Sequence, residues 1–473
     1  MNLDAPDPAE QQRYEALGLL DPSEDAAVDA LVRALYDPSW RVRKLAAERM
    51  TAARDPERLA TRLVAVLGDR GETGARNAAA EALVRLGLRS VAAVIPLLSH
   101  SDPDQRKFAA DILGPIGSRD AEEPLVRALG DPDPNVRVSA AEALGQVGGA
   151  KAPRALEQVL GANDPLLRLA ALEALVRLGA PPPLPTLVQL SREPALRRAA
   201  TRALGLVRQP AALKEIARAF LADARIVREA AIAAVGLQIR GAPEPWLAEV
   251  ERALAPVLQR DGSMAHWFFL EALEAEEDLE VRRGALFALG LLPSPNDARR
   301  IAEAAADDAL AEDALRALIR KGPAAARALA ADLESLSAPA QMVAAEALVH
   351  LADPSLVPEF EALTRSGEPE LQLLAVKALG RSRAPEAARI LAGLFKDAAL
   401  AAPAGRALVE LGRSFPAEVR AAVDQSLGEK VTAPALRALA ATGGPDVLRR
   451  LRLAARDPDP QLRAAAAEAA GEA

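Results

Sequence analysis

Apolar positions recur along the chain at a spacing that predicts stacked helices. At steps of 29 to 33 residues, broken by one step of 54, an alanine recurs with a second apolar residue, usually leucine, four positions later. Residues four apart lie on one face of an α-helix, so each pair marks a buried helix face. The small alanine lets neighbouring helices approach closely. The alanines are Ala46, Ala79, Ala109, Ala140, Ala171, Ala200, Ala231, Ala285, Ala314, Ala344, Ala375, Ala404, Ala435 and Ala466.

Residues 121–148 show the repeated unit most clearly, and they predict two helices. Leucines four positions apart mark a first helix. Asp133 and Pro134 then provide the N-cap and the first residue of a second helix, which is expected to end near Val147. A unit of this size cannot bury its apolar face alone and does so by stacking on its neighbours. The chain is therefore predicted to be an all-α solenoid.

The consensus of the unit resembles the HEAT repeat family, in particular its short bacterial type named after phycobilisome lyases. The resemblance is carried by Asp131-Pro132-Asp133-Pro134-Asn135-Val136-Arg137 with the following Ala140-Ala141-Glu142-Ala143-Leu144-Gly145, and again by residues 457–471. It implies a right-handed superhelix of about fourteen two-helix repeats. It does not specify an activity, because relatives include adaptors, scaffolds, chromophore lyases and nucleic-acid enzymes.

The spacing of the repeats divides the chain into four segments of one continuous solenoid. The expected order is an N-terminal capping segment, repeats 1 to 7, an insertion or lengthened repeat, and repeats 8 to 14. The segments are residues 1–26, 27–236, 237–280 and 281–473.

Composition narrows the classes of function. Without cysteine, the chain has no thiol nucleophile, no thiolate metal site and no sulfur of its own for bilin attachment. None of its three histidines is spaced to share a metal with another ligand, so neither a metal nor another cofactor is expected. No phosphate-binding glycine loop or nucleophile elbow is present, and no catalytic residue is predicted. With no apolar run read as long enough to span a membrane and no signal-like start, a bacterial cytoplasmic location is expected.

Arginines recur at one position of successive second helices, and this arginine ladder has two interpretations. In the first, each guanidinium binds the loop between the helices and stiffens the stack, which is the interpretation we favour. In the second, the arginines form a basic track for an acidic partner. As a row of arginines, the ladder stops after repeat 8, where the equivalent positions are Ala311, Gln341, Gln372, Ala401 and Thr432, and Arg463 restores it. Its eight consecutive members are Arg43, Arg76, Arg106, Arg137, Arg168, Arg197, Arg228 and Arg282.

Nucleic acid is the obvious acidic partner, but the overall charge argues against it. Acidic residues outnumber basic residues 66 to 58, for a formal net charge of −8. Proteins that bind the phosphate backbone usually present a strongly basic surface. Nucleic-acid binding is therefore the less favoured expectation.

The long step in the repeat concentrates aromatic residues beside acidic ones. Helices are expected near residues 246–259 and 264–275, and residues 241–280 contain ten acidic and two basic residues. Three successive aromatics cannot all face one core, since successive helix residues are about 100° apart. The segment is thus either a partner-binding site or a packed joint between repeats. The candidate partner-binding residues are Trp246, His266, Trp267, Phe268 and Phe269.

These features favour a non-catalytic scaffold or adaptor that presents a concave solenoid surface to a partner protein. The oligomeric state is left open, with a monomer favoured. The main alternative, which the family resemblance alone suggests, is a lyase-like subunit for a tetrapyrrole such as a bilin.

Overall fold

The repeated pattern folds into helix pairs over most of the part of the chain described by the computed structural model. That part comprises residues 7–259, 262–275, 277–427 and 432–472, and its regular secondary structure is entirely helical. Contacts group the chain into two units, Met1–Ala234 and Val235–Ala473. The all-α prediction is confirmed.

The helices of the first unit alternate between second helices, which have odd numbers, and first helices, which have even numbers. The last of them, α15, runs across the boundary into the second unit. In chain order they are α1 (Pro8–Gly18), α2 (Asp25–Ala34), α3 (Trp40–Arg49), α4 (Pro56–Leu67), α5 (Thr73–Leu86), α6 (Val91–Val94), α7 (Pro103–Ile116), α8 (Glu122–Ala128), α9 (Pro134–Val147), α10 (Ala152–Val159), α11 (Pro165–Arg177), α12 (Leu184–Leu190), α13 (Arg197–Leu204), α14 (Pro210–Phe220) and α15 (Arg225–Ile239).

The second unit begins with one additional helix, α16, after which the alternation continues with first helices odd and second helices even. The helices are α16 (Glu244–Leu258), α17 (Gly262–Ala275), α18 (Leu279–Leu291), α19 (Ala298–Glu303), α20 (Ala311–Lys321), α21 (Pro323–Asp332), α22 (Ala338–Leu351), α23 (Val357–Leu363), α24 (Pro369–Arg381), α25 (Ala387–Gly393), α26 (Ala401–Gly412), α27 (Pro416–Leu427), α28 (Ala433–Ala440), α29 (Pro445–Ala454) and α30 (Pro460–Glu472).

Aspartate–proline pairs start second helices at α9 and α11, as the sequence predicts. Asp133 precedes α9 in an extended conformation, and its carboxylate accepts hydrogen bonds from the backbone N–H groups of Asn135 and Val136 at 2.8 and 3.3 Å. Pro134 follows at the first helical position, where its missing N–H costs nothing. Asp164 caps α11 through Leu166 and Leu167 in the same way.

The recurrent alanines form the buried seam of the solenoid. All fourteen are at most 2% exposed, which confirms the prediction from their spacing. Second helices pack on the second helix of the next repeat from α1 to α13 in the first unit and from α18 to α30 in the second, as α9 does on α7 and α11. Gly145 of α9 shows how close the approach is, because a Cβ at this position would lie 2.8 Å from the Cα of Ala174.

Two helices do not belong to a two-helix repeat. Helix α1 packs on α3 as a second helix would, and its Arg13 lies 30 residues before Arg43 of the ladder. The segment expected to cap the N-terminus thus contains half a repeat. In the predicted insertion, α17 packs on α18 as a first helix, which leaves α16 as the added element.

One segment, residues 73–99, is apolar and long enough to cross a membrane by length and composition alone. The expectation that no apolar run is long enough to span a membrane is therefore wrong when length and composition alone are considered. In the structure, α5 ends at Leu86 and α6 begins at Val91, so the segment is a series of shorter helices. Within this segment, 44% of the apolar 18-residue stretch is buried inside the protein.

Candidate functional site

The ladder arginines other than Arg76 donate to a backbone carbonyl oxygen that lies shortly before their own helices. At six positions the guanidinium donates to the carbonyl oxygen six residues earlier; Arg106, for example, donates to the His100 carbonyl at 2.9 Å. Arg168 and Arg282 use carbonyls eight and nine residues earlier, at 2.8 and 3.3 Å. The six residues with the shared geometry are Arg43, Arg106, Arg137, Arg197, Arg228 and Arg463.

Several of these guanidinium groups, and those of Arg13 and Arg76, also reach a carboxylate in the next repeat. Arg106 binds both oxygens of Asp131 at 2.7 and 2.8 Å. Arg168 contacts Glu193 in the same two-point manner at 2.7 and 2.9 Å. Comparable pairs are Arg13–Asp37, Arg76–Asp104, Arg137–Asp164 and Arg282–Asp307. These bonds are those expected of the structural interpretation, and they leave the guanidinium groups engaged within the chain.

Glutamine takes over the loop bond where the sequence suggests that the ladder stops. Gln372 donates to the Ser366 carbonyl, six residues earlier, at 2.7 Å, and Gln341 donates to the Leu336 carbonyl at 3.1 Å. The change from arginine to glutamine therefore removes a charge and the link to the next repeat but keeps the helix tied to its loop. The charge pattern of the sequence alone does not reveal that the loop bond continues at these positions.

Replacing Arg106 by alanine is expected to lower the free energy of unfolding by about 2 to 3 kcal/mol, because it removes charge-assisted hydrogen bonds and leaves a half-buried carboxylate without its partner. Arg106→Gln is expected to recover part of this loss, since glutamine makes the loop bond naturally at Gln372. Urea unfolding followed by circular dichroism measures both. Arg127→Ala, which removes an exposed arginine 3.7 Å from Glu123, is the matched control and is expected to change little. Equal effects of Arg106→Ala and Arg127→Ala would contradict the assignment.

The ladder also predicts how the stability of the first unit depends on pH. Burial raises the pKa of the Asp131 carboxyl, but hydrogen bonds from Arg106 and from the Asp133 N–H outweigh it, so the pKa lies below its ordinary value. The resulting stabilisation is complete above the unfolded-state pKa of about 3.9 and is lost as the pH falls through the lower folded-state pKa. Asp131→Asn is therefore expected to cost about 1 to 3 kcal/mol at neutral pH, and progressively less below about pH 4. Urea unfolding across this range measures the change, with the exposed Asp120→Asn as control. A penalty that persists undiminished in strong acid would refute the ionic origin.

Three of the predicted partner-binding residues are engaged within the second unit. The Trp246 indole N–H donates to the Gln238 side-chain oxygen at 3.0 Å, which ties α16 to the end of α15. Phe269 is only 1% exposed and packs in the core, so it is removed from the candidate surface. His266 lies 2.9 Å from a carboxylate oxygen of Asp297. These contacts are those expected of a packed joint.

Asp297 is the centre of a buried polar cluster that fixes α17. Asp297 and Lys321 are 2% and 1% exposed at their side chains, and their charged groups lie 3.2 Å apart. The Lys321 ammonium also donates to the carbonyl oxygens of Leu292 and Ser294 at 3.0 and 2.6 Å. Burial lowers the pKa of Lys321, and the Asp297 carboxylate opposes that shift. Asp297 therefore connects α17, through His266, to the end of α20.

Trp267 points away from this cluster. Its side chain is 67% exposed, and Phe268 is half-buried beside it. Trp267, Glu271 and Glu274 recur at helical spacing on the exposed side of α17, and we call these three residues the α17 stripe. The Arg300 guanidinium of α19 lies 5.9 Å from the centre of the Trp267 ring and 3.4 Å from Glu274. Trp267 is thus exposed as the partner-site interpretation requires, whereas the contacts of Trp246, His266 and Phe269 are those expected of a packed joint.

Helix α16 borders a groove on the side of the second helices. The groove encloses about 510 Å³ between Leu247 and Glu251 of α16 and Ile319 and Arg320 of α20. Arg320 is 3.5 Å from Glu251 and lies 4.6 Å from the centre of the Phe287 ring. Its charged atoms are thus already partnered across the groove. Within the described residues, no cluster of three or more histidine, aspartate or glutamate side chains is arranged to hold a metal ion.

Comparison with known proteins gives a partial family match. A model described as HEAT repeats matches residues 91–176 and 153–236. No curated protein matches the chain significantly. An engineered protein of known structure is 19% identical, over 96% of this chain and 99% of its own, with a TM-score of 0.36.

Two further structures match either over a shorter part of the chain or with lower sequence identity. A chain from the complex of CpcE and CpcF of phycocyanin lyase from Nostoc sp. PCC7120 is 25% identical over 54% of this chain and 91% of its own, with a TM-score of 0.33. A chain from the complex of Kap95p with RanGDP is 12% identical over 100% of this chain and 82% of its own, with a TM-score of 0.47.

The family match agrees with the helix pairs, with their buried alanines and with the capped second helices described above. It covers the region in which the aspartate–proline caps and the ladder are most regular. Residues 91–236 of the chain match the HEAT-repeat model, and most of the described residues outside them also form helix pairs.

Proposed function

We propose that this protein is a non-catalytic interaction scaffold that binds a partner protein through the exposed side of α17. The observation that carries the proposal is Trp267, a large aromatic side chain that is 67% exposed although its helix is firmly packed. Tryptophan is enriched among the residues that dominate binding energy in protein interfaces.

The surroundings of Trp267 support a preformed binding site. On one side of the helix, Phe269 is buried in the core, and the bond from His266 to Asp297 holds the preceding turn. A side chain presented by a fixed helix loses less conformational freedom on binding than one presented by a mobile loop. The proposed surface therefore includes Trp267 and Phe268, while Trp246, His266 and Phe269 position it.

The alternatives lack a specific observation in their favour. The ladder arginines are bound to carbonyl oxygens and carboxylates of the chain, which does not favour a basic track for nucleic acid. A tetrapyrrole-lyase role was suggested by family resemblance, and no described cavity adds support to it. The proposed surface also differs from the concave surface expected from the sequence. It is the exposed side of α17, which belongs to the row of first helices.

The proposal predicts that Trp267→Ala weakens partner binding by about 30-fold, the equivalent of about 2 kcal/mol, while helix content is retained. Cross-linked complexes purified from the source cells with the wild-type and variant chains measure this effect by quantitative mass spectrometry. Trp40→Ala is the matched control, because Trp40 is 64% exposed but lies in the first unit. Proteins lost with Trp267→Ala and retained with Trp40→Ala support the proposal. An identical set of partners for all three chains contradicts it.

A further inference from the structure

We infer that the α17 stripe recognises a cationic side chain, preferably arginine, on a basic segment of the partner. This inference rests on the proposed function and adds the chemistry of the partner. It follows from the way in which the stripe already holds one arginine of its own chain, together with the charge around it.

Arg300 shows what the stripe can bind. Its guanidinium lies 5.9 Å from the centre of the Trp267 ring, within the distance at which a cation is attracted to an aromatic face. The same group is 3.4 Å from the Glu274 carboxylate. One arginine thus contacts an aromatic ring and an acid presented two helical turns apart. Arg300 is 45% exposed and Glu274 is 55% exposed, so both remain accessible to a competing cation.

The charge around the stripe fits a basic occupant. Glu271 and Glu274 lie on the stripe itself, and Glu277 is exposed just beyond the end of α17. An acidic partner would be repelled by this surface, whereas an arginine-bearing segment meets carboxylates around an apolar ring.

Arginine fits better than lysine because its planar guanidinium stacks on an aromatic ring while its N–H groups bind a carboxylate. An ammonium group has no flat face with which to make both contacts. We therefore expect a partner segment to place its arginine over Trp267 and against Glu271 or Glu274, displacing Arg300 or sharing the site with it.

The test uses the full chain with 5-fluorotryptophan and a capped hexa-arginine peptide as the probe. Fluorine NMR separates the tryptophan signals, and Trp267→Phe identifies that of Trp267. A saturable shift of this signal is expected, with hexa-lysine binding at least threefold more weakly and hexa-glutamate producing no shift. Trp40 serves as an exposed tryptophan that lacks the stripe.

Two variants change the site in opposite directions. The double change Glu271→Lys, Glu274→Lys is expected to weaken peptide binding at least tenfold, and Arg300→Ala is expected to strengthen it at least threefold by removing the internal competitor. Circular dichroism verifies that both variants retain their helix content. A shift of Trp40 at the same peptide concentrations, an equal response to hexa-glutamate, or unchanged binding by the double variant would overturn the inference.

The cell-derived partners separate failure of this inference from failure of the proposed function. Partners lost with Trp267→Ala but retained in full by the Glu271→Lys, Glu274→Lys variant would leave the scaffold function standing and refute cation recognition. Partners unaffected by Trp267→Ala would refute the scaffold surface itself.

Discussion

Replacing Gly236 by alanine is expected to lower the stability of the second unit by about 3 kcal/mol, the upper part of the range for overpacking a core. A Cβ at this position would lie 2.0 Å from the backbone carbonyl oxygen of Glu280 and 2.8 Å from its carbonyl carbon. Backbone atoms cannot rotate out of the way as a flexible side chain can, so α18 must shift away from the end of α15. The greater helix propensity of alanine, worth about 1 kcal/mol, offsets only part of this cost.

Thermal and urea unfolding of the Gly236→Ala variant measure the loss. The matched control is Gly393→Ala, because Gly393 is also a helical residue of the second unit and a Cβ there would have no atom within 4 Å. This control is expected to be neutral or slightly stabilising. If the two variants unfold alike, the close contact between α15 and α18 is not a feature of the folded protein.

Replacing Asp297 by alanine is expected to cost about 3 to 5 kcal/mol, the range for breaking a buried ion pair by removing one partner. The Lys321 ammonium would keep its two carbonyl contacts but lose the only carboxylate among its described hydrogen-bond partners. His266 would lose its contact with the same aspartate, so the first half of α17 is expected to loosen as well.

A double-mutant cycle separates the loss of the ion pair from the loss of packing. Lys321→Met removes the buried charge and keeps an unbranched apolar side chain of similar length. If an unpaired charge causes the loss, Asp297→Ala combined with Lys321→Met is more stable than Asp297→Ala alone. Urea unfolding of the four proteins measures the coupling energy. Strictly additive effects would show that Asp297 and Lys321 do not interact.

The fold was predictable because one local pattern decides most of it. Each alanine with its apolar partner defines a helix face, and aspartate followed by proline marks where several helices begin, so short stretches of sequence determine the helix pairs. The position of α16 was less predictable. The long step in the repeat indicates an extra element, but the spacing does not show whether that element joins the first helices or the second.

The candidate site was predictable only in part, because its geometry depends on residues far apart in the sequence. The row of aromatics required at least one to face outward, and the structure shows that Trp267 does so while Phe269 faces the core. Asp297 and Lys321 are 24 residues apart, and no local pattern marks them as a pair. The glutamines do not stand out as members of the ladder in the sequence, because glutamine lacks the charge of arginine although its amide keeps an N–H donor for the loop bond.

The links between adjacent repeats determine how the first unit carries mechanical load. A pulling force along the stack passes from Arg106 through Asp131 into the next repeat, and from there through Arg137 and Asp164. Each link joins only neighbours, so extension is shared along the stack instead of being concentrated in one plane. Where Gln372 replaces arginine, its side chain holds only its own loop. Within each unit, we therefore expect the resistance of a repeat to extension to depend on the residue at this single position, and to be greatest where an arginine also reaches the next repeat.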